Sequence, residues 1–156
     1  MANEKKSLRY FMREPETEIV TAPGPETFKD EEGRVIQFQI RVLTQKEIQE
    51  INDGYRKRGV ATDKKGNPLV DGGELVWKTE TNPARASRHI IAEALVYPNL
   101  KDPELMDFYH CNDISEMPLH VFRRPDEYAH VTDMVMKALG LSDASEDKED
   151  LEAAKN

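Results

Sequence analysis

The side chains best suited to metal binding or nucleophilic chemistry are four histidines and one cysteine: His89, His110, Cys111, His120 and His130. None of them has the CxxC, HExxH or HxxxH spacing that aligns two ligands on one helix or turn. His110 and Cys111 are adjacent, so their side chains leave the backbone in different directions. We therefore expect surface histidines and a small buried cysteine in preference to a metal site or a cysteine nucleophile.

Acidic side chains are numerous, but their arrangement does not suit acid–base catalysis. Glu14, Glu16 and Glu18 alternate along an extended segment, and residues 30–32 form an acidic turn. A catalytic pair of carboxylates needs two environments that separate the two pKa values, and exposed acidic runs provide none. The sequence also lacks the GxxxxGK[ST] and GxGxxG phosphate loops. We therefore predict a protein that is not an enzyme and that binds no cofactor or metal.

Size and charge exclude further classes of function. The 156 residues suit one domain, and the formal net charge is −8. Residues 142–156 hold six acids and two lysines, which is half of that charge. Such a molecule repels a phosphate backbone, so we expect no nucleic-acid partner. No apolar run approaches the roughly 18–20 residues of a membrane span, so we expect no membrane partner either.

The N-terminal half is predicted to form strands. Residues 34–43 alternate in the manner of a half-buried strand, and the apolar positions on its inner face are Ile36, Phe38, Ile40 and Val42. Residues 18–22 form a weaker candidate strand that ends at Pro23-Gly24-Pro25. The glycine-containing residues 59–80 predict an extended hairpin or an ordered loop.

The remaining elements are predicted to be helices that begin at capping signals. Thr44, with Glu47 three residues later, forms a capping box, and Gly59 is the expected end of that helix. Further helices are expected to begin at Asn82-Pro83, Asp102-Pro103 and Arg124-Pro125, where proline occupies the first helical position. The first of these three should end at Pro98 and the last at Gly140. A short helix is expected around residues 118–122.

Strands followed by helices indicate an α+β fold. We expect a small antiparallel sheet with hairpins in the N-terminal half, packed against a C-terminal bundle of three to four helices. The expected organisation is a flexible arm at residues 1–9, one domain at residues 10–141 and an acidic disordered tail at residues 142–156.

Aromatic residues concentrate at the corner between two predicted helices, around residues 97–109. A core position is favoured for Leu95, Leu105 and Phe108. For Trp77, Tyr97, Tyr109 and Met136 the core and a protein-contact surface are both open, because aromatics and methionine are enriched at interfaces. The candidate partner-binding residues are Trp77, Tyr97, Leu100, Leu105, Tyr109 and Met136.

At the same corner the chain resembles the XkdN-like phage tail assembly chaperone family. The similar segment is V-x-P-N-L-x-D-x-E-L, which stands here as residues 96–105. Two further segments are similar in the same order. The first is an acidic turn followed by the alternating strand, at residues 28–47. The second is the Pro125-Asp126-Glu127-Tyr128 helix start with its end near Gly140.

The resemblance implies a non-catalytic chaperone that binds the tape measure protein and keeps it soluble during tail morphogenesis. It also implies contact with the tail tube protein and with a frameshift-extended form of the chain itself. The expected location is the cytoplasm of the bacterial host, with no copy in the finished virion. The alternative is a structural tail or head–tail adaptor, which would be retained in the virion.

Overall fold

The computed structural model describes residues 6–141. The predicted acidic tail and the first five residues of the predicted arm lie outside this range. In chain order the strands are β1 (Ile19–Pro23), β2 (Gln37–Arg41), β3 (Arg56–Val60), β4 (Val70–Asp71), β5 (Glu74–Leu75), β6 (Trp77–Thr81) and β7 (Leu95–Tyr97). The helices are α1 (Gln45–Gly54), α2 (Pro83–Ala94), α3 (Pro103–Phe108), α4 (Met117–Val121) and α5 (Pro125–Ala138). The predicted α+β class is confirmed.

The central sheet has the order β1-β2-β7 and is antiparallel throughout. In β2 the predicted alternation is present, since Phe38 and Ile40 are buried while Gln37 and Gln39 are exposed. The β1 strand follows from its pairing with β2, in which Ala22 lies opposite Phe38. One face of this sheet therefore enters the hydrophobic core.

The turn after β1 passes close to a core aromatic cluster. Gly24 donates its N–H to the carbonyl of Ile36 at 2.9 Å. A Cβ atom on Gly24 would lie 2.5 Å from the Phe38 ring, so the chain can pass here only without a side chain. Phe38 in turn contacts Phe122 with ring centroids 6.0 Å apart, and Phe122 meets Phe28 edge-on at 5.8 Å.

Helix α2 lies at the centre of the helical layer and contacts α1, α4 and α5. Its inner face is formed by Ala86, Ile90, Ile91 and Ala94, which are all buried, and the predicted core position of Leu95 directly after it is confirmed. The predicted caps are also present. Asn82 accepts a hydrogen bond from the Arg85 N–H at 3.2 Å, and Thr44 forms the capping box with Glu47.

Two arginines on the outer side of α2 bind the turn that precedes α4. Arg85 donates to Ser115 Oγ at 2.8 Å and to Asp113, and Arg88 donates to the Ser115 carbonyl at 2.9 Å. Ser115 is fully buried and itself donates to Asp113 at 2.7 Å. The hydrogen bond from Ser115, followed by that from Arg85, outweighs burial and lowers the pKa of Asp113. A charged network thus joins two helical elements.

Two predicted helix ends are wrong. Helix α1 ends at Gly54, five residues before Gly59, because residues 56–60 pair with β6 as a strand. Helix α2 ends at Ala94 and does not continue to Pro98, because Leu95 and Tyr97 pair with β2. In both places hydrogen bonds to a distant strand replace those of a further helical turn, and tertiary pairing overrides local preference.

Residues 56–81, here called the hairpin arm, confirm the predicted hairpin and extend it towards α1. Strands β3 and β6 form a two-stranded sheet separate from the central one, and β4 pairs with β5 near its tip. Ala61 is the only buried residue of the arm. The arm is therefore largely solvated on both faces.

Candidate partner-binding site

Three of the six candidate residues, Tyr97, Leu105 and Tyr109, line one groove, which we call the aromatic groove. Phe108 lines it as well, together with Pro98 and three polar residues, Asn99, Asp102 and Glu104. The groove has a volume of ≈ 510 Å³. It lies where the end of β7 meets α3.

The two ends of α3 fix the position of the groove. At the start, Asp102 accepts a hydrogen bond from the Glu104 N–H at 2.9 Å, and Pro103 occupies the first turn. At the end, His110 adopts a positive φ of 50°, and Cys111 donates its N–H back to the Met106 carbonyl at 3.0 Å. This pattern is a Schellman-type stop. It holds Phe108 and Tyr109 in an edge-to-face contact with centroids 4.9 Å apart.

The groove exposes apolar surface to solvent. Phe108 is 73% exposed and Tyr97 is 53% exposed, while Leu105 and Tyr109 are half-buried and form the floor. Covering a single large apolar side chain is worth about 1.5–3 kcal/mol. Contact with an apolar segment of another chain would therefore be favourable at this surface.

The rim of the groove is acidic. Asp102 and Glu104 line it, and Asp107 is exposed on the same short helix. The nearby cation, Lys101, binds Glu93 at 2.6 Å. The rim therefore favours a ligand that carries positive charge beside its apolar residues.

The structure corrects the expectation for Leu100. Its side chain is 0% exposed and belongs to the core, so it cannot contact a partner. After β7 the chain turns inward, and this turn carries Leu100 into the core. The direction of the Leu100 side chain is determined by how this turn packs against the helical layer.

The core position favoured for Phe108 is wrong, because Phe108 is exposed and lines the groove, although it was not among the candidate partner-binding residues. In α3 the side chains of Leu105, Met106 and Tyr109 face inward together and are half-buried. Phe108 lies about 100° around the helix from the centre of that face. The helical spacing places Phe108 at one edge of the apolar arc of α3, and the packing of α3 leaves this edge exposed.

Trp77 and Met136 are not part of the groove. Trp77 lies on β6 in the hairpin arm, 52% exposed, with the Arg58 guanidinium carbon 4.9 Å from its ring centroid. Met136 lies on α5, half-buried against the core.

The side chains that could do chemistry are dispersed. Cys111 is buried and its Sγ contacts the Asp113 carbonyl at 3.2 Å, and His89 Nδ1 lies 2.6 Å from the Tyr55 hydroxyl. Within residues 6–141 no three His, Cys, Asp or Glu side chains gather in a metal-binding cluster. In the same range no helix has the length and apolar character needed to cross a membrane.

Comparisons with known proteins agree with the sequence resemblance. The model of the family described as phage XkdN-like tail assembly chaperone protein matches residues 8–155. YqbN of Bacillus subtilis (strain 168) is 32% identical over 157 residues, which cover 99% of this chain and 97% of YqbN. The phage-like element PBSX protein XkdN of the same organism is 26% identical over 151 residues, covering 96% of this chain and 93% of XkdN.

The fold has also been seen in a crystal. The crystal structure of the protein YqbN matches this one with a TM-score of 0.66 and 24% identity, covering 88% of this chain and 98% of that one. The likeness to the YqbN structure supports the fold, and the match to the family model supports family membership. The chain belongs to the phage XkdN-like tail assembly chaperone family.

Proposed function

We propose that this protein is a tail assembly chaperone that binds the tape measure protein in the aromatic groove and keeps it soluble until the tail tube forms. Family membership supports a role in tail assembly. The tape measure protein is the client that the family resemblance implies. The groove supplies a surface on which such a client can bind.

The exposure of Phe108 carries this proposal. A phenylalanine that is 73% exposed beside a half-exposed tyrosine contributes little to the stability of its own domain. The core is already filled by other residues, among them Ile91, Met117 and Val135. The groove residues are thus available to cover apolar surface on another protein.

A helical client fits the shape and charge of the groove. An amphipathic helix presents apolar residues at i, i+3 and i+4, and grooves that bind such helices combine an apolar floor with a charged rim. The aromatic groove has this combination, with Leu105 and Tyr109 as floor and Asp102 and Glu104 as rim. A bound helix would be prevented from associating with its own copies through the same apolar stripe.

Co-expression tests the proposal. The soluble fraction of the cognate tape measure protein should rise when the wild-type chain is present, and Phe108→Asp should abolish the rise. Val70→Asp is the matched control, since Val70 is also an exposed apolar residue (62%) but lies on the hairpin arm. Circular dichroism of each variant verifies folding. A client whose solubility is the same with wild-type chain and with Phe108→Asp would remove the groove from the proposal.

If this proposal is correct, the chain acts in the host cytoplasm during assembly and is absent from the finished particle. Quantitative mass spectrometry of purified tails should therefore find no stoichiometric copy. Retention of the chain at a fixed copy number would instead identify a structural adaptor.

A further inference from the structure

A second exposed apolar surface lies near the N-terminus. We call residues 6–13 the N-terminal segment. Its side chains Leu8, Tyr10, Phe11 and Met12 are 68%, 75%, 80% and 72% exposed. Residues 8–11 form a 3₁₀ turn in which Ser7 Oγ accepts from the Arg9 N–H at 3.1 Å. Four large apolar side chains within five residues are thus presented to solvent, as expected of an interaction segment.

The N-terminal segment and the aromatic groove are complementary in charge. The segment carries Lys6, Arg9 and Arg13 with no acidic residue, in a chain whose formal net charge is −8. The groove has Asp102 and Glu104 on its rim and Asp107 beside them, while Lys101 binds Glu93. Basic aromatic sequence thus matches acidic aromatic surface.

We propose that the N-terminal segment of one chain docks in the aromatic groove of a second copy of this protein. Within one chain the two surfaces do not cover each other, because Phe11 and Phe108 are 80% and 73% exposed. The segment precedes β1 and the groove follows β7, and these strands are the two opposite edges of the central sheet. Reciprocal exchange about a two-fold axis makes both contacts at once and closes the assembly as a dimer.

This self-association has a consequence for the client. The inference uses the groove assigned above to the tape measure protein, so segment and client compete for one surface. In the absence of client, the dimer covers both exposed apolar surfaces, the N-terminal segment and the aromatic groove. A client that binds the groove releases the segment and dissociates the dimer.

Sedimentation velocity on the purified full chain, without client, tests the self-association. The wild type should sediment as a dimer. Phe11→Asp and Phe108→Asp should each raise the dissociation constant at least about ten-fold, the loss expected when one phenylalanine leaves an interface. Val70→Asp should sediment as the wild type does. A monomeric wild-type chain at tens of micromolar, or a dimer that both variants leave intact, overturns the proposal.

Mixing the two variants separates exchange between chains from other dimer contacts. Phe11→Asp keeps an intact groove and Phe108→Asp keeps an intact segment, so one docking contact can form between them. An equimolar mixture should therefore contain more dimer than either variant alone. A mixture that sediments as the sum of its two components contradicts docking of the segment in the groove of a second copy.

The client assay distinguishes this inference from the proposed function. Phe11→Asp should solubilise the tape measure protein at least as well as the wild type, because it removes a competitor, whereas Phe108→Asp should lose that activity. Loss of solubilisation only in Phe108→Asp, with a monomeric wild-type chain, would overturn the self-association and leave the function standing. If the dimer behaves as predicted but the chain has no effect on the solubility of the client, the self-association stands and the proposed function is overturned.

Discussion

At the scale of single residues, Gly24 shows how closely this small core is fitted. It is buried between two prolines, and its Cα faces the Phe38 ring, which in turn contacts Phe122. The sequence identified Pro23-Gly24-Pro25 as a break in the strand. Gly24 also allows the backbone to pass close to an aromatic ring. This second role arises only because the chain turns back after β1 and pairs it with β2.

Substitution of Gly24 should therefore be costly. Gly24→Ala places a Cβ atom 2.5 Å from Phe38 Cε1, and the strain should lower the free energy of unfolding by about 1–3 kcal/mol. Gly54→Ala is the control, since a Cβ there meets nothing within 4 Å and lies at the end of α1. It should be neutral or stabilising by up to about 1 kcal/mol. Urea unfolding measures both, and equal effects would contradict the close-approach argument.

At the scale of elements, the helices are joined by polar contacts that their individual patterns do not reveal. Arg85 and Arg88 lie on the outer side of α2, opposite its buried residues. In the structure they bind Asp113, Ser115 and Glu116 in the turn before α4. The amphipathic pattern of α2 carries no information on which distant turn lies across its polar face.

The Asp113 contacts should make stability depend on acid pH. Ser115 and Arg85 lower the pKa of Asp113 in the folded state below its unfolded value of about 3.9. A lowered folded-state pKa contributes stability that is present above the unfolded value and is lost as the pH falls through the folded value. The free energy of unfolding of the wild type should thus exceed that of Asp113→Asn at pH 7, and the difference should shrink below about pH 4.

Thermal or urea unfolding between pH 3 and pH 7 measures this difference. Glu47, whose pKa is lowered mainly by the hydrogen bond from Arg41, is present in both proteins and so cancels from it. Glu47→Gln is the matched control, because it removes a different carboxylate whose pKa is lowered, in the capping box of α1. A constant gap between wild type and Asp113→Asn over the whole pH range would contradict the assigned contacts.

At the scale of the whole molecule, the hairpin arm stands apart from the buried core. The cluster of buried hydrophobic residues includes none from residues 56–81. A two-stranded hairpin alone is marginally stable in water, so its order depends on its attachment between α1 and α2. One such contact is the Asn82 N–H to the Tyr55 carbonyl at 3.2 Å, and another is the Tyr55 hydroxyl against His89.

Shortening the arm should therefore leave the core intact. Replacement of residues 61–76 by Asn-Gly retains the register pair Val60 and Trp77 and should change the melting temperature by no more than about 4 °C. Ile91→Ala is the contrasting variant, since Ile91 is fully buried and its loss should cost about 2–5 kcal/mol. Far-UV circular dichroism melts measure both. A shortened chain that melts more than about 10 °C lower would show that the arm belongs to the core.

The sequence by itself determined strand β2, the positions where the helices begin and the acidic charge of this protein. The alternation from Ile36 to Val42 and the caps at Thr44, Asn82 and Asp102 are local signals, because their partners lie within a few residues. The family resemblance at residues 96–105 was equally visible in the sequence.

Only the tertiary structure decided where α1 and α2 end and which side of α3 faces solvent. Leu95 leaves its helix because β2 offers backbone hydrogen bonds at that edge. Leu100 is buried and Phe108 is exposed although both are large and apolar. Burial is a property of two surfaces that meet, and residues distant in sequence bring those surfaces together. The aromatic groove is therefore a product of packing that no local pattern specifies.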